Sequence, residues 1–253
     1  MRHFAKPLDE GGCSLTVVGR CSLPLLQQVS KCYVVTTDTQ EGIRRLTRIL
    51  ASKVVHLCHE TYVLRVKLPR STSFNTVEAY MRVAWLFFLD SKPGDRCLVL
   101  QDDAAVPRSL LQIDARRFGE VDAFLTRMPT SAVFSLGSLG HLSPVPDPTN
   151  NIFRLSPDFV SAHAIVAGES LFRRLLHSPP HDKIETVLRN MDVYSYAVAV
   201  LVRHPGRSEM HSPHMRRMLS TRGGWDAIGW LCRHSVTLPV WLAIQTALLG
   251  RSE

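Results

Sequence analysis

The run Cys97-Leu98-Val99-Leu100-Gln101-Asp102-Asp103-Ala104-Ala105-Val106 holds the residues best suited to chemistry. An apolar stretch leads through Gln101 into two adjacent carboxylates. A buried strand of this form delivers Asp102 and Asp103 at its C-terminal end, where open α/β sheets keep their ligand crevice. Two carboxylates held together there repel each other unless a cation neutralises them. Mg²⁺ and Mn²⁺ prefer carboxylate, phosphate and water oxygens, so such a site needs few protein ligands. The chemistry implied is a divalent cation that bridges a diphosphate and stabilises its charge on departure. The plainer alternative is a turn in which one Asp caps the backbone and the other is solvated.

Those carboxylates need a sheet to hold them, and the chain alternates strand and helix signals accordingly. Lys31-Cys32-Tyr33-Val34-Val35-Thr36-Thr37 reads as the first confident strand. A helix follows through Ile43, Leu46, Ile49 and Leu50, capped by Asp38 or Thr39 with Glu41 near its start. Lys53-Val54-Val55-His56-Leu57 reads as the second strand, and Thr61 to Val66 as an edge strand. From Phe74 to Leu89 the apolar residues follow one helical face, broken by Lys92-Pro93-Gly94-Asp95 before the acidic strand. Helical spacing returns over 114–127, and Ser131 to Gly137 reads as a strand. Residues 137–151, rich in Gly, Pro, Ser and Asn, form a loop and a candidate lid. A strand over Ser161 to Ala167 leads into a helix from Gly168 to Leu176. Lys183 to Ala199 carries a mixed helical pattern around Met191-Asp192-Val193-Tyr194. The alternation predicts one doubly wound α/β domain over 31–215, after a leader at 1–30 with a short strand near Ser14 to Val18.

The chain has 253 residues, enough for one large domain with an appendage, and a net charge of +8 that favours anionic partners. Its six cysteines form no CxxC pair or zinc-like grouping and read as reduced thiols. Residues 1–10 lack the apolar core of a signal peptide, so both features predict a cytosolic protein. The stretch 216–253 is expected to be an amphipathic helical tail. Within it, 225–249 contains three of the four tryptophans, interrupted by Arg233, His234 and Pro239. That is too broken for a transmembrane helix. It suits peripheral contact with an anionic membrane, or a helical hairpin docked on the main domain or a partner. The arginines are dispersed and interleaved with no nucleic-acid motif, so no nucleic-acid partner is expected. A P-loop Gly-Lys-Ser/Thr is missing too, which argues against P-loop phosphoryl transfer.

The order of these segments resembles the GT-A glycosyltransferases, most closely the bacterial lipopolysaccharide and procollagen galactosyltransferase type. The matches are the long helix Phe74 to Leu89, the strand Leu98-Val99-Leu100-Gln101-Asp102-Asp103, and Val133-Phe134-Ser135-Leu136-Gly137-Ser138. They continue through Ser161-Ala162-His163-Ala164-Ile165-Val166-Ala167-Gly168, the helix Ser170 to Leu176 and Met191-Asp192-Val193-Tyr194-Ser195-Tyr196. Two departures stand out: Gln101 replaces an acid, and Tyr80-Met81 replace the Ser-His that this helix often carries. The resemblance implies a mixed, mostly parallel GT-A sheet flanked by helices, with a C-terminal helical appendage. It implies a nucleoside-diphosphate sugar as donor and a glycan, glycoprotein or lipid-linked acceptor. Val35, Thr36 and Thr37 would then lie beside base and ribose, with Arg44 or Arg45 available to phosphate. Asp102 and Asp103 would hold Mn²⁺ or Mg²⁺, joined by a late His, His211 or His214. Asp192 would be the general base of an inverting transfer, with Asp158 and Asp182 as weaker competitors. His163, in an apolar run, reads as a core residue or part of an acceptor pocket. The same fold without turnover would be a carbohydrate- or nucleotide-binding protein.

Overall fold

The computed structural model describes residues 13–67, 76–104, 114–137, 142–143, 152–155, 157, 162–179 and 184–196. The first half contains strands β1 (Cys13–Arg20), β2 (Lys31–Thr37), β3 (Glu60–Val66) and β4 (Arg96–Gln101), with helices α1 (Gln40–Ala51) and α2 (Thr76–Asp90). Next come α3 (Asp114–Leu125), β5 (Val133–Ser135), β6 (Leu142–Ser143) and β7 (Ile152–Leu155). β8 (Ala164–Gly168), α4 (Glu169–His177), α5 (Ile184–Leu188) and β9 (Val193–Tyr196) complete the described chain.

All nine strands join one sheet in the order β1-β3-β2-β4-β8-β5-β9-β7-β6. β3, β2 and β4 are parallel neighbours, and β5 and β9 are parallel to each other. β8 lies antiparallel between β4 and β5, which makes the sheet mixed. Central strands are buried on both faces, as β2 shows with an unbroken buried run from Cys32 to Thr36. Alternation along β2 sends Cys32 and Val34 to one face and Tyr33 and Val35 to the other. The first face packs against α1 and α3 through Leu46, Ile49, Phe118 and Phe124. The second packs against α2, α4 and α5 through Tyr80, Val83, Phe172 and Leu188. The result is a three-layer α/β/α fold of the Rossmann-like class.

Three sequence readings shift. Lys53–His56 forms a short 3-10 helix instead of a strand. Val54 and Leu57, both buried and three residues apart, match the repeat of that helix and pack under α1. The neighbouring run Glu60–Val66 takes the parallel place beside β2, so the expected edge strand is internal. β1 supplies the edge instead and contains the short strand expected near Ser14 to Val18; Leu26 and Val29, also within 1–30, are fully buried. The helical reading around Met191 also gives way. α5 stops at Leu188, and Val193-Tyr194-Ser195-Tyr196 alternates between the two cores with the period of a strand. No helix among the described residues is long and apolar enough to cross a membrane.

Candidate functional site

The chain leaves β2 through α1 to reach β3 on one side, then crosses by α2 to β4 on the other. α1 and α2 pack on opposite faces, so the strand order reverses between β2 and β4. Open α/β sheets place their ligand crevice at such a switch point, outside the C-terminal strand ends. Thr36 and Thr37 end β2 there, and Asp102 and Asp103 follow β4.

Local structure fixes these ends. After Gln101 the backbone turns, with the Ala104 amide donating to the Gln101 carbonyl at 3.0 Å. Asp102 thereby faces Thr36, whose Oγ1 donates to Asp102 Oδ2 at 2.7 Å. Thr36 is itself buried and also lies 3.2 Å from the Gly42 carbonyl, which ties it to the first turn of α1. That helix is capped by Thr39, whose side chain accepts the Gly42 amide at 3.1 Å. Thr37 Oγ1 contacts Thr39 Oγ1 at 2.7 Å and completes the rim.

Charge at Asp102 is only partly balanced. The Asp102 side chain is only 11% exposed, and Arg45 Nη1 is 3.8 Å from its Oδ1. Burial pushes the Asp102 carboxyl up to about 6; the nearby Asp103 charge adds to the rise, while the Thr36 hydrogen bond and Arg45 oppose it. Arg45 is shared with Glu41, at 3.2 Å, and so only partly neutralises Asp102. Further along the same edge, the Gln101 amide donates to the carbonyl of the buried His163 at 2.9 Å. Tyr80, buried on the α2 face, donates to the Ala162 carbonyl at 2.8 Å and feels the Asp103 charge. Sequence spacing gave Tyr80 and Gln101 no functional signal beyond their departure from the GT-A pattern.

Several expected site residues lie elsewhere. Val35 is 2% exposed and points into the core beside Tyr33 and Leu64, so it cannot line a ligand. Arg44 is 65% exposed and pairs only with Glu41, at 3.8 Å; Arg45 reaches the site in its place. Helical geometry explains the swap, since adjacent positions differ by about 100° around the axis.

Asp192 is the larger correction. Across β8 and β5, Leu98 lies level with Val166, Phe134 and Tyr194. Asp102 comes four residues after Leu98 and Asp192 two before Tyr194, and β9 runs parallel to β4. Strand rise therefore separates them by about 20 Å along the sheet, with three strand spacings, about 14 Å, across it. Asp192 sits at the opposite edge, bound to Arg154 Nη2 at 2.5 Å. It cannot act as base for chemistry at Asp102. His211, His214, Asp158, Asp182 and the 225–249 stretch lie outside the described residues.

The donor set fits a hard divalent cation in kind: two carboxylates on a crevice rim, with a buried acid short of positive charge. Among the described residues, no third His, Cys, Asp or Glu joins them to complete a protein-only metal cluster. A cation there would draw its other ligands from water and phosphate.

No family model matches the chain, and no curated protein matches it. Among solved structures it is similar to a UTP-bound UGPase from Acinetobacter baumannii, at 9% identity and a TM-score of 0.37. That match covers 86% of this chain and 81% of the other. A likeness so loose carries no functional conclusion, and the site stands on its own geometry.

Proposed function

We propose that this chain is a GT-A-type transferase that uses a nucleoside-diphosphate sugar, with the diphosphate seated between the C-terminal ends of β2 and β4. The observation that carries the reading is the 2.7 Å contact of Thr36 with Asp102 at the switch point. It brings together two segments 66 residues apart in sequence. Asp102 and Asp103 would hold Mn²⁺ or Mg²⁺, which when bound supplies charge neutralisation at the leaving diphosphate. Thr36 fixes the Asp102 carboxylate, and Arg45 offers a guanidinium to phosphate oxygens while Glu41 steadies it. Gln101 borders the side on which the sugar and a glycan, glycoprotein or lipid-linked hydroxyl would meet. Inversion at the anomeric carbon needs a base within hydrogen-bond reach of that hydroxyl, a condition Asp192 does not meet.

A binding protein without turnover is the second reading. It is favoured by Arg45, which already places a cation 3.8 Å from Asp102. Calorimetric titration with UDP and GDP, with and without Mn²⁺, tests both. Metal-dependent binding that Asp102→Ala/Asp103→Ala abolishes supports a donor site, and hydrolysis of a bound nucleotide sugar then selects the transferase. Absence of binding to either nucleotide under all metal conditions overturns both readings.

A further inference from the structure

Just past the end of β1, a thiol and an imidazole meet: Cys21 Sγ lies 3.8 Å from His56 Nδ1. Backbone bonds set that approach. The Cys21 amide donates to the His59 carbonyl, the Leu25 amide to the His56 carbonyl and the Leu26 amide to the Leu57 carbonyl, each at 2.9 Å. Residues 21–26 are thereby zipped to 56–59. Leu26, Val54 and Leu57, all fully buried, anchor both segments in the core beneath α1 and α3. The pair itself stays at the surface, with Cys21 half-buried and His56 exposed.

The other described thiols are placed differently. Cys32, Cys58 and Cys97 are at most 1% exposed, and burial pushes the Cys58 and Cys97 thiols well up. Cys13 is half-buried and accepts from Arg82 Nη1 at 2.6 Å. A guanidinium can stabilise a thiolate but cannot take up the thiol proton. Arg82 is also shared with Glu78, at 2.9 Å, and burial raises the Cys13 thiol. His56 can accept the Cys21 proton, so among the five described cysteines Cys21 combines solvent access with a base. Among the described residues no third His, Cys, Asp or Glu joins the pair to make a protein-only metal site.

We propose that Cys21 is a thiol–disulfide exchange site, activated by His56, that takes up a low-molecular-weight disulfide. His56 Nδ1 accepts the Cys21 proton, and the thiolate attacks one sulfur of the incoming disulfide. A mixed disulfide forms as the original S–S bond breaks, and the departing thiolate recovers the proton from the imidazolium. Reduction of the incoming disulfide balances oxidation of Cys21. Strand register sets this site apart from the nucleotide crevice. Arg20 lies level with Glu60 and Lys31, and Thr36 is about 16 Å further along β2. The exchange therefore holds whether or not the nucleotide reading does.

The test treats the reduced full chain with hydroxyethyl disulfide and follows each cysteine by peptide mass spectrometry over time. Cys21 is expected to react about tenfold faster than Cys13. His56→Gln, at an exposed position, should slow Cys21 roughly tenfold and leave Cys13 unaltered. Continued protection of the buried Cys97 shows that the variant stays folded. His59→Gln, which removes the neighbouring imidazole, should leave the Cys21 rate as it is. Equal rates at Cys21 and Cys13 in the native chain, an unchanged Cys21 rate in His56→Gln, or equal slowing by both histidine variants overturns the proposal.

Discussion

Asp102 is held by a buried threonine and titrates at about 6, against an ordinary value of 3.8. Between those values the folded chain keeps a proton that the unfolded chain has released. Asp102 therefore favours folding below pH 4, and that advantage is lost as pH rises through 6, by about 3 kcal/mol at most. Asp102→Asn should raise the stability of the nucleotide-free protein at pH 8 by about 1–3 kcal/mol and do little at pH 4. Urea melts at the two pH values check this. Nucleotide and metal binding should vanish in the same variant, since a neutral amide cannot replace the charge. Asp192→Asn should leave nucleotide binding unchanged and alter stability by less than about 1 kcal/mol, because its ion pair with Arg154 is half exposed. Loss of nucleotide binding in that variant, read by the same calorimetry, would count against the register-based separation. The acid pair was legible in sequence because an apolar run pointed at it. The place of Asp192 was not, because pattern alone does not say which end of a strand meets which edge of the sheet.

The elements impose their own requirements on that site. Gly42 in the first turn of α1 lies so close to β2 that an added Cβ would meet the Thr37 carbonyl at 2.5 Å. That contact is with backbone and cannot relax cheaply. Gly42→Ala should cost about 1–3 kcal/mol and push α1 away from Thr36, weakening nucleotide binding as well as stability. Equal melting temperatures for the variant and the native chain would show that α1 shifts freely. The α1 helix was legible from its cap and its periodic Leu46 and Ile49. The 3-10 helix Lys53–His56 was not, since a short run of apolar residues fits a strand or a tight helix equally well. Only competition for the place beside β2, won by Glu60–Val66, decides between them. Arg44 and Arg45 posed the same difficulty on a smaller scale, since one helical step separates an exposed charge from a half-buried one.

Across the whole molecule, two cores of comparable extent sandwich one sheet, and Asp102 and Asp192 sit at its two opposite edges. The α/β class was legible from the alternation of strands and helices. The antiparallel position of β8 was not, because pairing partners far apart in sequence leave no local trace. That strand has a consequence for how the chain is made. β4 is complete at Gln101, but its second neighbour begins only at Ala164. During synthesis, the nascent first half therefore carries a row of unmet amides and carbonyls along its most apolar strand. Such a row is a template for pairing with another chain. A chain ending at residue 137 should self-associate in a concentration-dependent way by sedimentation, whereas one extended through α4 should do so far less. The proposed nucleotide crevice, assembled from residues 36–45 and 101–104, would then depend on late-arriving sequence that supplies neither Asp102 nor its threonine partner. Ribosome speed over the intervening sixty or so residues becomes a determinant of yield.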